Sequence, residues 1–343
     1  MKRNLSIAII GCGWAGSRHV RALPAGFEIG WLVDTNLECA STLRQQSGSE
    51  ARISVDYHEA LADPTLDAVD ICLPHNLHAP AAIAAAQAGK HILCEKPLAA
   101  TLDEADAMIA AAQQARVILM VAENVRFDPA LIKIKELVDQ GVIGKVALLQ
   151  ITRQCYLRGS FIDERPWFLN ARAAAGGAMM SGGVHDFEKA RMLLGEIEHV
   201  YALRAPQRFL ELEGDDTSIA AVRFHNGAVG SFVETFLMKT LTTASGKEVH
   251  TLRLDGELGS IILEEPNTIR IFSEHPAWQI NQELMEHTLH VPDQDTFRLE
   301  IEHFLDCILN GNEPITSGRE ERKPLAAVLA AYRAMENGSP IYL

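Results

Sequence analysis

Short apolar runs of strand length recur through the first third of the chain, at residues 5–10, 29–33, 53–55, 68–73, 91–94 and 117–121. Between them lie segments with helix signals: one reaching Leu23, then 37–46, 58–62, an alanine-rich stretch at 80–88 closed by Gly89, and one running from Thr101 to about 115. Glycine is favoured just past a helix end, and Thr101 followed three residues later by Glu104 is a capping-box start. Six strands alternating with helices predict a parallel, doubly wound sheet. Further along, the rhythm changes to candidate strands at 146–153, 199–204, 218–224, 228–235, 249–254 and 259–263. The turn signals His225-Asn226-Gly227 and Asp255-Gly256 suit hairpins. A closing helix at 323–335 places Leu325, Val328, Leu329 and Tyr332 on one face, which is the spacing of core packing.

The first strand opens directly into Gly11-Cys12-Gly13-Trp14-Ala15-Gly16, and the second ends at Asp34. This is the order a dinucleotide-binding unit needs: Gly11 for the tight turn, Gly13 for close approach of backbone to a pyrophosphate, and Gly16 for helix–strand packing. An acidic residue about 20 positions on, such as Asp34, can hold a ribose 2′-hydroxyl. In such sheets ligands bind outside the carboxyl ends of the strands. That rule selects Pro74-His75-Asn76, Glu95-Lys96-Pro97 and Glu123-Asn124. A lysine at a strand end can hydrogen-bond a substrate oxygen, while its plainer reading is a surface lysine paired with Glu95. His75 and His78 lack a third ligand of suitable spacing, so no metal is expected.

Composition narrows the classes. Hydrophobic residues make up 48% and charged residues 22% of a chain of 343, which excludes disorder throughout and gives room for two cores. A net charge of −14 disfavours nucleic acid and anionic membrane surfaces. The six cysteines form no CxxC pair and are expected as reduced thiols in a cytoplasmic protein. Lys2 and Arg3 before an apolar run imitate a secretory signal, but that run doubles as the first strand, so it is read as mature sequence. No stretch reaches the roughly 18 apolar residues of a membrane span.

The combination of GCGWAG, Asp34, LPHNLH at 73–78, AGKHILCEKPLA at 88–99 and NVRFDP at 124–129 resembles the glucose-fructose oxidoreductase / inositol dehydrogenase / rhizopine catabolism (Gfo/Idh/MocA) family. The likeness continues through GVIGKV at 141–146, GGAMMSGGVHDFEKARMLLG at 176–195 and ITSGREERKPLAAVLAAY at 315–332. It implies an NAD(P)-binding Rossmann domain over residues 1–122. Over 123–343 it implies a substrate-binding and oligomerisation α/β domain with a large, predominantly antiparallel sheet. The cofactor-facing set would add Leu73, Pro74, Asn76, His78, Glu95, Lys96 and Asn124 to the glycine loop (Gly11 to Gly16) and Asp34. NAD is expected, with NADP as the alternative, because a carboxylate at Asp34 repels a 2′-phosphate.

By the same resemblance Lys96 contacts the substrate hydroxyl and helps relay its proton, and His185 is the acid/base on the reacting oxygen. Trp167, Arg172 and Ser181 complete the substrate set. The family commonly has an acidic residue four positions before this histidine, where this chain has Ser181. A serine can orient but cannot act as a carboxylate, and Asp186 would point about 100° away on a helix. Arg153, Arg158, Arg165 and Arg172 recur near the substrate region and either clamp an anionic substrate or pair with Asp163 and Glu164. The expected activity is hydride transfer between nicotinamide and a hydroxyl-bearing carbon of a sugar, inositol or related polyol, in a homodimer or homotetramer. The alternatives are a redox-neutral, NAD-using glycoside cleavage and a ligand-sensing regulator on the same fold.

Overall fold

A computed structural model describes residues 4–157, 162, 165–240, 248–264, 267–279 and 285–343. The chain forms two compact units. The first comprises Met1–Asn124, Arg172–Ala175 and Asp295–Leu325, and the second Val125–Ala171, Gly176–Gln294 and Ala326–Leu343.

The first unit is built on six strands, β1 (Leu5–Ile10), β2 (Phe27–Val33), β3 (Arg52–Ser54), β4 (Ala68–Ile71), β5 (His91–Glu95) and β6 (Leu119–Ala122). All pair in parallel, in the order β3-β2-β1-β4-β5-β6, so the winding reverses between β1 and β4. Ile7, Ala8 and Ile9 of β1 are wholly buried, as a central strand covered on both faces must be. The connecting helices are α1 (Trp14–Ala22), α2 (Leu37–Ser47), α3 (Tyr57–Leu61), α4 (His78–Gln87) and α5 (Leu102–Ala115). Thr101 accepts the Glu104 amide at the start of α5, and Glu104 returns to the Ala100 amide, one residue before the usual capping-box partner. Ala79, Ala81, Ala82, Ala85 and Ala86 of α4 are buried, where only a methyl group stands between the helix and its neighbours. The helix Thr296–Asn310 also belongs to this unit, with Phe297 edge-on to Trp14 and Phe304 stacked on Phe27.

The second unit carries β7 (Val146–Gln154), β8 (Ile197–Arg204), β9 (Thr217–Phe224), β10 (Val229–Thr235), β11 (Val249–Gly256), β12 (Gly259–Glu264), β13 (Thr268–Ser273), β14 (Glu286–His290) and β15 (Ile341–Tyr342). They form one sheet in the order β14-β13-β12-β11-β7-β10-β9-β8-β15, antiparallel except where β7 meets β10. Burial alternates strictly along β9 and β10, the pattern of a sheet with one face on a core. On that face Phe232 meets Phe187 of the helix Val184–Leu194, edge to face at 5.0 Å.

Three strands escaped the sequence pattern. β14 is polar and half-exposed at the sheet's edge, and β15 is two residues long, so neither presents an apolar face to read. β13 does alternate, with Ile269 and Ile271 buried, although the candidate strands stop before it. The second hairpin turns at Glu257-Leu258 rather than at Asp255-Gly256, because β11 extends through Gly256. The last helix runs Gly318–Asn337, so it begins before the expected residue 323 and carries Pro324 inside it.

Candidate functional site

In the first unit, the turn from β1 into α1 leaves no room for side chains at two positions. Gly11 has φ +101°, and a Cβ there would lie 2.3 Å from the Cys72 carbonyl oxygen. One at Gly16 would lie 2.0 Å from the Gly11 carbonyl oxygen. Gly13 differs: nothing stands within 4 Å of its missing Cβ, so internal packing does not demand glycine. Its bareness leaves the backbone open to a ligand, and no side chain caps the first turn of α1, whose amides form the positive end of a helix dipole. Asp34 closes the cradle. Its carboxylate accepts the Cys12 and Asn36 amides, each at 2.8 Å, which places it at the end of β2 against the glycine loop. These residues fit the pyrophosphate and ribose of a dinucleotide. Trp14 is exposed and Ala15 half-buried on the opening of α1.

Leu73, Pro74 and Asn76 are half-buried beyond β4. The imidazole of His78 faces the Leu73 and Pro97 carbonyl oxygens at 2.9 and 2.8 Å and is wholly buried, which lowers its pKa. His75 Nδ1 is 2.7 Å from the Ala174 carbonyl oxygen. Both rings of this histidine pair thus face backbone carbonyl oxygens. Asn124 donates to Thr296 at 2.9 Å. Half-buried Lys96 follows β5, and its amide donates to its neighbour Glu95 at 3.0 Å. The inner side of Glu95 faces His19, a residue that sequence reasoning passed over because its partners are remote in the chain.

In the second unit a π-helical turn, Met179–Gly183, runs into the helix Val184–Leu194 and delivers Ser181 and His185 one after the other. Such turns recur at functional sites. The approach is clamped from outside. Asp215 accepts the Met179 amide at 3.0 Å, and the Tyr332 hydroxyl donates to Asp215 at 2.6 Å while accepting the Gly177 and Met180 amides. Tyr332, expected only as core, therefore fixes the segment that precedes His185. His185 is itself 8% exposed. Trp167 lies half-buried in the turn Pro166–Leu169, and Arg172 is exposed in the first unit.

Below Ser181 and His185 lies a buried charge cluster that the spacing did not reveal. The carboxyls of Asp186 and Glu234 lie close enough to interact strongly, and both are buried. A Cβ on Gly182 would sit 2.3 Å from the Glu234 carboxyl. Two carboxyls in contact cannot both ionise cheaply. Burial favours the neutral form of both, but Lys189, 2.8 Å from Asp186, overrides it and keeps Asp186 ionised. Burial and the Asp186 charge push Glu234 well above the carboxylate range, so Glu234 holds the proton. Arg153, considered above as an anion clamp, instead binds Glu248 at 2.7 Å and adds its charge to this cluster. Arg158, Asp163 and Glu164 lie outside the described residues.

Comparison with known proteins decides the family. Residues 5–123 match an oxidoreductase family model described as an NAD-binding Rossmann fold, and residues 135–343 match its C-terminal α/β domain. The chain belongs to the Gfo/Idh/MocA oxidoreductase family. It is 32% identical to levoglucosan dehydrogenase of Pseudarthrobacter phenanthrenivorans over 76% of this chain and 73% of that one. It is 30% identical to scyllo-inositol 2-dehydrogenase (NAD(+)) of Bacillus subtilis, over 100% of this chain and 97% of the relative. Levoglucosan dehydrogenase in complex with NADH and levoglucosan superposes with a TM-score of 0.88 at 26% identity, covering 99% of each chain. The six-stranded parallel and nine-stranded mostly antiparallel sheets are the two family folds, and the glycine loop and Asp34 lie within the stretch matched to the NAD-binding fold.

Two predictions follow from this geometry. Gly16→Ala must displace the Gly11 carbonyl and should cost about 1–3 kcal/mol or more in denaturant unfolding, whereas Gly13→Ala should unfold within about 0.5 kcal/mol of the parent. For Glu234, the unfolded side chain releases its proton near the ordinary value while the folded one keeps it. Its stabilising contribution is therefore complete below the unfolded pKa and declines as pH rises towards the folded one. Glu234→Gln removes that titration, so unfolding curves between pH 5 and 8 should show the parent losing up to about 1.4 kcal/mol per pH unit relative to the variant. Parallel stability profiles would show that Glu234 is ionised in the fold.

Proposed function

We propose that this chain catalyses reversible, NAD-dependent oxidation of a hydroxyl-bearing carbon in a sugar, inositol or related polyol. The reading is supported by the dinucleotide-fitting glycine loop and the lysine at the end of β5 in the first unit, and by the histidine that follows the π-helical turn in the second. Bound NAD supplies a hydride acceptor. The chain's task is then the hydroxyl proton. Lys96 donates a hydrogen bond to the substrate oxygen, and His185 takes the proton as the carbonyl forms, a step suited to a group whose ordinary pKa lies near neutrality. Trp167, Arg172 and Ser181 complete the substrate surface in this reading. Levoglucosan and scyllo-inositol, named for the relatives, set the substrate class.

We assign the outer face of the nine-stranded sheet to a homo-oligomer contact. Leu203, Ile219, Val229 and Phe272 are all 39–57% exposed, and paired register puts Leu203 beside Ile219 on that face. Apolar side chains gathered on one sheet face favour a second copy. All six cysteines are free thiols, which suits a reducing cytoplasm. No helix among the described residues is long and apolar enough to cross a membrane.

A panel of inositols, levoglucosan and aldoses, followed by nicotinamide absorbance with NAD and NADP, tests the activity. NAD should be the better cofactor because Asp34 repels a 2′-phosphate. Lys96→Met and His185→Ala should each lower turnover by about 10² or more with NAD affinity retained. Parent-like turnover in either variant removes that residue from the mechanism. Ser181→Asp should keep or raise activity if serine merely replaces an orienting carboxylate, and should abolish substrate binding if it marks a different reaction. Product formed without any absorbance change would favour the redox-neutral alternative. Sedimentation tests the assembly: Ile219→Lys should run as a smaller species than the parent, and an unchanged coefficient would place the contact elsewhere.

A further inference from the structure

The core of the first unit holds an ionic chain that no packing argument requires. His19, on α1, is completely buried. Its Nδ1 stands 2.9 Å from Asp70 on β4, and its Nε2 stands 3.3 Å from one oxygen of Glu95 at the end of β5. The other oxygen of Glu95 accepts the Lys96 amide at 3.0 Å. Cys72 approaches both Asp70 and His19, and Glu300 of the helix Thr296–Asn310 lies 3.9 Å from the ring. Phe297 covers the imidazole at 5.6 Å between ring centres.

We propose that His19 is a positioning residue for Lys96: bridged between Asp70 and Glu95, it fixes the carboxylate that holds the Lys96 backbone at the end of β5. The proposal rests on the role given to Lys96 in the function proposed above.

The charges agree with the geometry. Burial opposes a cationic imidazole, but Asp70 and Cys72 outweigh it and hold the His19 pKa well above the ordinary value. Burial likewise opposes an ionised Glu95, yet His19, with help from Lys96 and His78, lowers that carboxyl to about 2. Glu300 goes the other way. Burial, with Glu95, Glu123 and Asp70 nearby, overcomes the attraction of His19 and keeps it protonated. The ring is thus a cation between two carboxylates with a neutral acid beside it. A cationic imidazole has no lone pair for a metal, so the closeness of His19, Asp70 and Cys72, within 4.8 Å, is better explained by the ion pair than by a metal site.

A general buried ion pair would stabilise or strain the core without reference to one amide. This one ends on the backbone of the residue proposed to meet the substrate. Its loss should act on catalysis through Lys96 and leave the phosphate grip of Gly11, Gly13 and Gly16 alone.

The test uses the full chain saturated with NAD. Hydrogen exchange at the Lys96 amide, located by fragmentation mass spectrometry over residues 94–98, reads the bond directly whatever the substrate. His19→Gln removes the cation, and Asp70→Asn is a second variant that keeps the ring and removes its ionic partner. Both should lower protection of the Lys96 amide by about tenfold or more and lower turnover without changing the NAD Kd. In a Lys96→Met background, His19→Gln should cause no further loss of turnover, since residues acting through one group are not additive. Unchanged amide protection, or losses that multiply in the double variant, overturns the proposal. Should the parent oxidise no sugar or polyol while the variants still lose protection, the proposed function fails and the positioning stands. Turnover by the parent with protection untouched in the variants has the opposite meaning.

Discussion

The tightest constraint in the first unit is the contact between α1 and the end of β1. A backbone carbonyl of Gly11 occupies the space where a side chain at Gly16 would be. That approach fixes how deeply α1 lies on the sheet, and the depth has two consequences. It leaves the first turn of the helix, uncapped by any side chain, at the mouth of the glycine loop. It also buries His19, further along the same helix, among the carboxylates of β4 and β5. One packing distance therefore governs both the cofactor cradle and the ionic support behind Lys96.

Placing charges in a core is costly unless each is paired, and the two units meet this requirement with the same kind of solution. In the first, cationic His19 is shared by Asp70 and Glu95 while Glu300 stays neutral. In the second, Asp186 is ionised against Lys189 while Glu234 keeps its proton. A protonated acid next to an ionised one supplies a donor where two anions would repel. Removing the cation from such a group leaves uncompensated buried charge, at a cost of about 3–5 kcal/mol. These arrangements define which carboxyls are available as fixed charges and which are not.

Much of this was legible in the residues, for reasons that also mark where legibility ended. The strands of the parallel sheet announced themselves because both faces are buried and the apolar runs are continuous, as in Leu5–Ile10. The glycine loop could be read because its three glycines fall within six consecutive residues, even though the space at Gly11 is closed by the distant Cys72 carbonyl. β14 could not, because an edge strand such as Glu286–His290 is stabilised by pairing to β13 and has no apolar face of its own. The inclusion of Asp295–Leu325 in the first unit is likewise set by long-range packing, such as Phe304 on Phe27, which periodicity does not encode. His19, Asp215 and Glu234 were missed on the same ground, since each gains meaning only from a partner more than thirty positions away.

Ser181 shows how local and distant information combine. Along the helix, its position one turn before His185 is where a carboxylate is expected, and sequence alone records only the loss of an acid. The fold adds that the next residue, Gly182, has no side chain where the Glu234 carboxyl lies. An acid at 181 would be the third in a neighbourhood that already contains Asp186 and Glu234, which do not both ionise cheaply. Further negative charge there would raise the acids around it rather than simply add an ionised group. Serine, able to donate as well as accept, supplies polarity one turn before His185 without imposing that electrostatic cost.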